Sequence, residues 1–105
     1  MIEELTAAQL HAKLEAGEDV QIVDTRSPAA YASGHIPGAE NLPYGELAER
    51  IEEIEWGESV VLVCEVGQSS KQAARILDAY EGVDEDALVA SLEAGYEGWE
   101  YDLES

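Results

Sequence analysis

The sequence predicts an α/β domain of three layers, with helices packed on both faces of a mainly parallel sheet. Three observations predict it. Short apolar runs alternate with segments of helical spacing along the whole chain. One run, Val60 to Val63, is continuously apolar, as in a strand buried on both faces of a parallel sheet. At 105 residues the chain is long enough for one compact core without disulfide or metal staples. A single domain over residues 1–105 is therefore expected.

The elements follow in order. Thr6 is placed to cap a helix through Glu15, with Leu10 and Leu14 on one face and Gly17 beyond its end. Val20 to Asp24 reads as a strand. Ser27-Pro28 opens a brief helical turn through Tyr31, with proline suited to a first helical position. The turn-rich GHIPGA leads to a very short strand near Glu40 to Leu42. From Tyr44 to Glu55, apolar Leu47, Ala48, Ile51 and Ile54 recur at helical spacing. After the strand at Val60, Ser69 or Ser70 is expected to cap a helix with an apolar stripe of Ala73, Ala74, Ile76, Leu77 and Tyr80. Ala87 to Leu92 reads as the last strand, and GYEGWEYDL as a closing turn and short helix.

Charge excludes one class of function. There are 24 acidic residues against five lysines and arginines, a formal net charge of −19. Binding DNA or RNA through a basic patch needs the opposite sign. The acids are dispersed rather than gathered in a tail. That pattern suits a surface adapted to high salt, where the Debye length falls to about 3 Å and self-repulsion is screened; a halophilic source is the expectation. The acidic, amphipathic start is unlike a signal peptide, and no apolar stretch could span a bilayer. A single cysteine cannot form an internal disulfide. The expectation is a soluble, cytoplasmic monomer without a membrane partner.

That cysteine, Cys64, follows an apolar strand and precedes a helix. In parallel sheets, ligands bind beyond the carboxyl ends of the strands. A short loop of Glu65, Val66, Gly67, Gln68 and Ser69 can turn its N–H groups inward as an anion-binding nest. The helix start adds free donors and the positive end of the helix dipole. A sulfur in such a bowl would be held as thiolate. The alternative is a buried structural cysteine ending a core strand. Local sequence leaves both readings open.

Four motifs in register carry a resemblance. Tyr31, His35-Ile36-Pro37-Gly38-Ala39 and Leu42 form the first, and Asp24-Thr25-Arg26 the second. The loop Cys-x-x-Gly-x-Ser-Ser-Lys from Cys64 is the third. The fourth is Gly95-Tyr96-Glu97-Gly98-Trp99, with Ala94 in place of a preceding glycine. With these motifs the chain resembles a rhodanese domain from end to end. The resemblance implies a five-stranded parallel sheet flanked by helices, and sulfur transfer without cofactor or metal. In that reading Cys64 takes sulfane sulfur from thiosulfate or a persulfide and passes it to an external acceptor, a thiol or a thioredoxin-like dithiol. Residues 65–69 would form the backbone cradle, and Ser70, Lys71 and Arg26 are candidate substrate contacts. Many members have arginine where Ser69 stands; the Ser69-Ser70-Lys71 version resembles small bacterial single-domain thiosulfate sulfurtransferases. Two departures stand out: Glu65 sets a carboxylate where thiosulfate would approach, and Ala30 replaces a common glutamate.

The remaining residues take plainer expectations. His35 is expected to fix its turn by hydrogen bonding, His11 to be solvated, and Tyr96 and Trp99 to pack at the core or rim. Phosphatase-like loops need arginine six positions after the cysteine to hold a tetrahedral dianion; Ser70 occupies that position. Two further functions stay open: a sulfur relay to a protein partner for thiolation or cofactor synthesis, and a non-catalytic binding module.

Overall fold

The computed structural model describes residues 2–105. Its centre is a five-stranded sheet in the order β1-β5-β4-β2-β3, parallel at every pairing. The strands are β1 (Glu3–Leu5), β2 (Gln21–Asp24), β3 (Glu40–Asn41), β4 (Ser59–Val63) and β5 (Leu88–Leu92). The helices are α1 (Ala7–Glu15), α2 (Pro28–Ser33), α3 (Leu47–Arg50) and α4 (Gln68–Asp78).

The apolar run of β4 explains the layering. Side chains alternate across a strand, so Val60 and Leu62 face one way and Val61 and Val63 the other. Val60 and Leu62 join Leu47, Ile51, Ala73, Ala74 and Leu77 from α3, its flanking turn and α4. Val61 and Val63 join Leu10 of α1, Ile36 and Trp99, with Tyr31 of α2 at the margin. Both faces are thus covered, which is why β4 is apolar throughout.

Local chemistry sets the helix starts. Thr6 accepts from Gln9 N while the Gln9 side chain accepts from Thr6 N, a closed capping box. Ser27 caps α2 with Pro28 at its first position.

One strand that the element-by-element reading left unplaced is found, and four expectations are corrected. The acidic β1, unmarked by any alternation, pairs with β5 at one edge of the sheet. The expected helix over Tyr44 to Glu55 is three short pieces, the four-residue α3 between 3₁₀ turns at Tyr44–Glu46 and Ile51–Glu53. The cap of α4 is Gly67 in a left-handed conformation at φ 92°, not a serine; Ser70 lies inside the helix with its hydroxyl buried. Ile76 leaves the apolar stripe of α4 and is 40% exposed. His11 is stacked on Tyr101 at 3.8 Å between ring centroids, not simply solvated.

Candidate active site

Cys64 follows the last residue of β4, the middle strand of the sheet. Val63 pairs with Asp24 at the end of β2, and Leu62 with Ser91 near the end of β5. Three strand ends therefore converge on the thiol, which is 5% exposed.

The loop from Cys64 to Gly67 folds back over its own sulfur. Gly67 N donates to Cys64 Sγ at 3.0 Å and Ser70 N at 3.3 Å. Ser70 Oγ lies 3.4 Å from the sulfur and 2.7 Å from Ser91 Oγ. The positive φ of Gly67 is what turns its N–H inward, and a Cβ there would sit 3.1 Å from Ala94 N. Burial by itself raises the thiol pKa. The Ser70 hydroxyl and the backbone N–H groups of Ser70, Gly67 and Val66 outweigh it, so the thiol titrates below its ordinary value.

The closing segment braces this loop. The 3₁₀ turn Gly95–Gly98 directs Tyr96 N to Cys64 O at 2.9 Å and Glu97 N to Glu65 O at 3.0 Å. Gly95 approaches so closely that a Cβ would run into the Cys64 carbonyl oxygen.

Beside the thiol, Arg26 is tied down on nearly every side. Its Nε and Nη2 donate to the buried carboxylate of Asp24, at 2.8 Å for the shortest bond, and Nη2 also reaches Gly34 O at 2.6 Å. Nη1 donates to Glu65 Oε1 at 3.3 Å, and the guanidinium lies 3.7 Å over the Tyr96 ring. Burial would lower its pKa, but the Asp24 and Glu65 bonds push it higher still. Tyr96 OH donates to Asp24 Oδ2 and accepts from Ile36 N. Burial, with the Asp24 charge beside it, keeps that phenol protonated.

A cavity of about 250 Å³ opens over the thiol, lined by Arg26, Glu65, Val66 and Ser69 with Thr25, Ser27 and Ala30. Of the residues singled out from sequence, Cys64, Glu65, Val66, Gly67, Ser69, Ser70 and Arg26 come together here. Gln68 and Lys71 do not line this cavity; Lys71 Nζ pairs with Glu4 at 3.4 Å. His35 stacks on Tyr31 and bonds its carbonyl through Nδ1, the turn-fixing role expected of it. Tyr96 and Ser91 were missed as site residues. A lone hydroxyl in the otherwise apolar strand LVASL is the signal that could have found Ser91; Tyr96 lay inside a recognised motif but reads there as packing. Among the described residues, no group of three His, Cys, Asp or Glu side chains could hold a metal.

The family model described as Rhodanese-like domain matches residues 6–102. The chain belongs to the rhodanese-like domain family. Within it, the chain is 39% identical over 83 residues to the thiosulfate sulfurtransferase GlpE of Pseudoalteromonas translucida, covering 79% of this chain and 75% of that protein. Among solved structures, SSP1007 from Staphylococcus saprophyticus aligns with a TM-score of 0.85 at 28% identity, covering 99% of this chain and all of the other. A rhodanese-like domain protein from Staphylococcus aureus aligns with a TM-score of 0.81 at 30% identity, covering 98% and 97%. The five-stranded parallel sheet is the fold of these rhodanese-like neighbours. The left-handed Ala94 (φ 62°) stands where the rhodanese pattern has glycine.

Proposed function

We propose that the protein is a sulfurtransferase that carries sulfane sulfur on Cys64. The observation that supports this reading most is the ring of polar groups around one sulfur: Gly67 N and Ser70 N donate to it, and Ser70 Oγ, which accepts from the thiol at 3.4 Å, can donate to it once it is a thiolate. They stabilise a thiolate before reaction and a persulfide anion after it. The thiolate attacks the sulfane sulfur of the donor. A new S–S bond forms, the donor's own bond to that sulfur breaks, and its remainder leaves with the electron pair, as sulfite from thiosulfate or as a thiolate from a persulfide. A second nucleophile then attacks the outer sulfur and Cys64 departs as thiolate.

With one cysteine in the chain, no internal thiol can resolve the persulfide, so the acceptor is external: cyanide in an assay, a thiol or dithiol in the cell. Glu65, Val66 and Ser69 form the rim of the cavity, and Gly67 N donates to the sulfur beneath it. Arg26 shapes it from a fixed position. Ser70 holds the sulfur's charge, and Lys71 stands outside the bowl, paired with Glu4.

The test is turnover. With thiosulfate or a low-molecular-weight persulfide as donor and cyanide as acceptor, the wild type is expected to release thiocyanate and Cys64→Ser to release none while keeping its circular dichroism spectrum. Equal turnover by the variant would overturn the reading.

A further inference from the structure

Two features around the Cys64 cavity have opposite charge, and together they specify a kind of donor. The first is the Arg26–Glu65 pair. Arg26 is the cation that lines the cavity, and Asp24, Gly34 O and Glu65 hold its nitrogens. Two carboxylates against one guanidinium leave the wall beside the sulfur with a surplus negative charge. A dianion brought there meets both that surplus and the thiolate.

The second is a groove that meets the cavity at Ser69, which lines both. It runs along α4, has a volume of about 430 Å³, and is lined by Tyr44, Gln68, Ser69, Lys71, Gln72 and Arg75. Its charged side chains are both cationic. Four other cavities, the Cys64 cavity among them, each have an Asp or Glu in the wall. Lys71 Nζ is shared with the exposed Glu4 at 3.4 Å, so the groove carries a net single positive charge. In a chain with a net charge of −19, a groove whose lining holds Lys71 and Arg75 and no carboxylate is the one of these five suited to an anion.

We propose that the donor is an organic persulfide whose carrier bears a carboxylate, with its sulfane end at Cys64 and the carboxylate in the Lys71–Arg75 groove. This rests on the sulfur-transfer reading of Cys64. The site sorts donors by where their second charge lies: Glu65 opposes a compact dianion such as thiosulfate, and the groove rewards a carboxylate carried away from the transferring sulfur. In the transfer, Cys64 Sγ bonds to the terminal sulfur of the persulfide, the donor S–S bond breaks, and the carrier leaves as its thiolate.

The experiment measures second-order rate constants for sulfur loading of the whole chain, by intact mass at low salt, from three donors. They are thiosulfate, the persulfide of N-acetylcysteine, and the persulfide of N-acetylcysteine amide, which lacks the carboxylate. The wild type is expected to load severalfold faster from the acid persulfide than from its amide. The double variant Lys71→Gln, Arg75→Gln should bring that ratio close to one. Glu65→Gln should raise the thiosulfate constant severalfold relative to the amide persulfide. Equal constants for acid and amide in the wild type, or no relative gain with thiosulfate in Glu65→Gln, would overturn the donor assignment while leaving sulfur transfer standing. A wild type that loads from none of the three would overturn the sulfur-transfer reading and this assignment with it.

Discussion

Ser91 Oγ lies 2.7 Å from Ser70 Oγ, and Ser70 Oγ lies 3.4 Å from the sulfur of Cys64. Both serines are buried, so no bulk water competes for these hydroxyls. When Cys64 is a thiolate, Ser70 donates to the sulfur and Ser91 donates to Ser70. A serine from β5 is thereby coupled to the charge on a loop that follows β4.

Removing that hydroxyl has a readable consequence. A hydrogen bond to a charged group contributes about 1.5–3 kcal/mol, so Ser70→Ala is expected to slow Cys64 alkylation by iodoacetamide at neutral pH about tenfold or more. Ser91→Ala should act in the same direction but less. The sign follows from titration: the thiol pKa is lowered in the wild type, losing the donor raises it, and less thiolate is present at a given pH. Rates of wild type and variant should converge at pH values above both pKa values. The same lowered pKa ties stability to pH. The native state holds fewer protons than the unfolded chain between its own thiol pKa and the unfolded value of about 8.5, so stability rises with pH across that window. A pH profile of alkylation unmoved by Ser70→Ala would show that the hydroxyl does not bear on the sulfur.

Ala94 offers a test of the brace. It adopts the left-handed region at φ 62°, which costs a residue with a Cβ about 1–2 kcal/mol. Glycine removes that strain but loses about 0.4–1 kcal/mol through the freer unfolded chain. Ala94→Gly is therefore expected to stabilise the protein by about 0.5 kcal/mol, read as a higher urea midpoint at unchanged slope. A lower midpoint would mean that the Ala94 methyl makes packing contacts worth more than the strain.

The sheet and its order along the chain were largely legible, because apolar runs and turn residues are local signals. What escaped was not local. The strand β1 is acidic and three residues long, and it is a strand only because β5 offers it an edge. The segment from Tyr44 to Glu53 keeps helical spacing, yet it divides into 3₁₀, α and 3₁₀ pieces. The serines after the cysteine are good caps by residue type, but Ser70 is needed at the sulfur and glycine takes the cap. At the site, the position of Cys64 between a buried strand and a helix was legible in the order of elements, while the role expected of it came from the resemblance. The Arg26 cluster was not legible: Glu65 lies 39 positions from Arg26, and the Asp24–Tyr96 bond spans 72. Glu65 on its own read as an obstacle to anions; only the fold shows that it is also the partner of Arg26.

The surface charge leads to a salt dependence. Every carboxylate except that of Asp24 is on an exposed side chain, so the self-repulsion of a −19 chain falls on the surface, where salt screens it. Raising KCl from about 0.1 M to about 1 M shortens the Debye length from about 10 Å to about 3 Å. The melting temperature is expected to rise across that range. A flat or falling curve would remove the case for adaptation to high salt.

The central claim is that Cys64 is the atom on which sulfur rides, and intact mass spectrometry followed by peptide mapping tests it most directly. After incubation with a sulfane donor and removal of the excess, the wild type is expected to carry one extra sulfur. Mapping should place it in the peptide that contains Cys64, and cyanide should remove it. Cys64→Ser, folded as the wild type is, should gain nothing. An extra sulfur on the Cys64→Ser chain, or a wild type that stays unmodified by both thiosulfate and persulfide donors, would contradict the account.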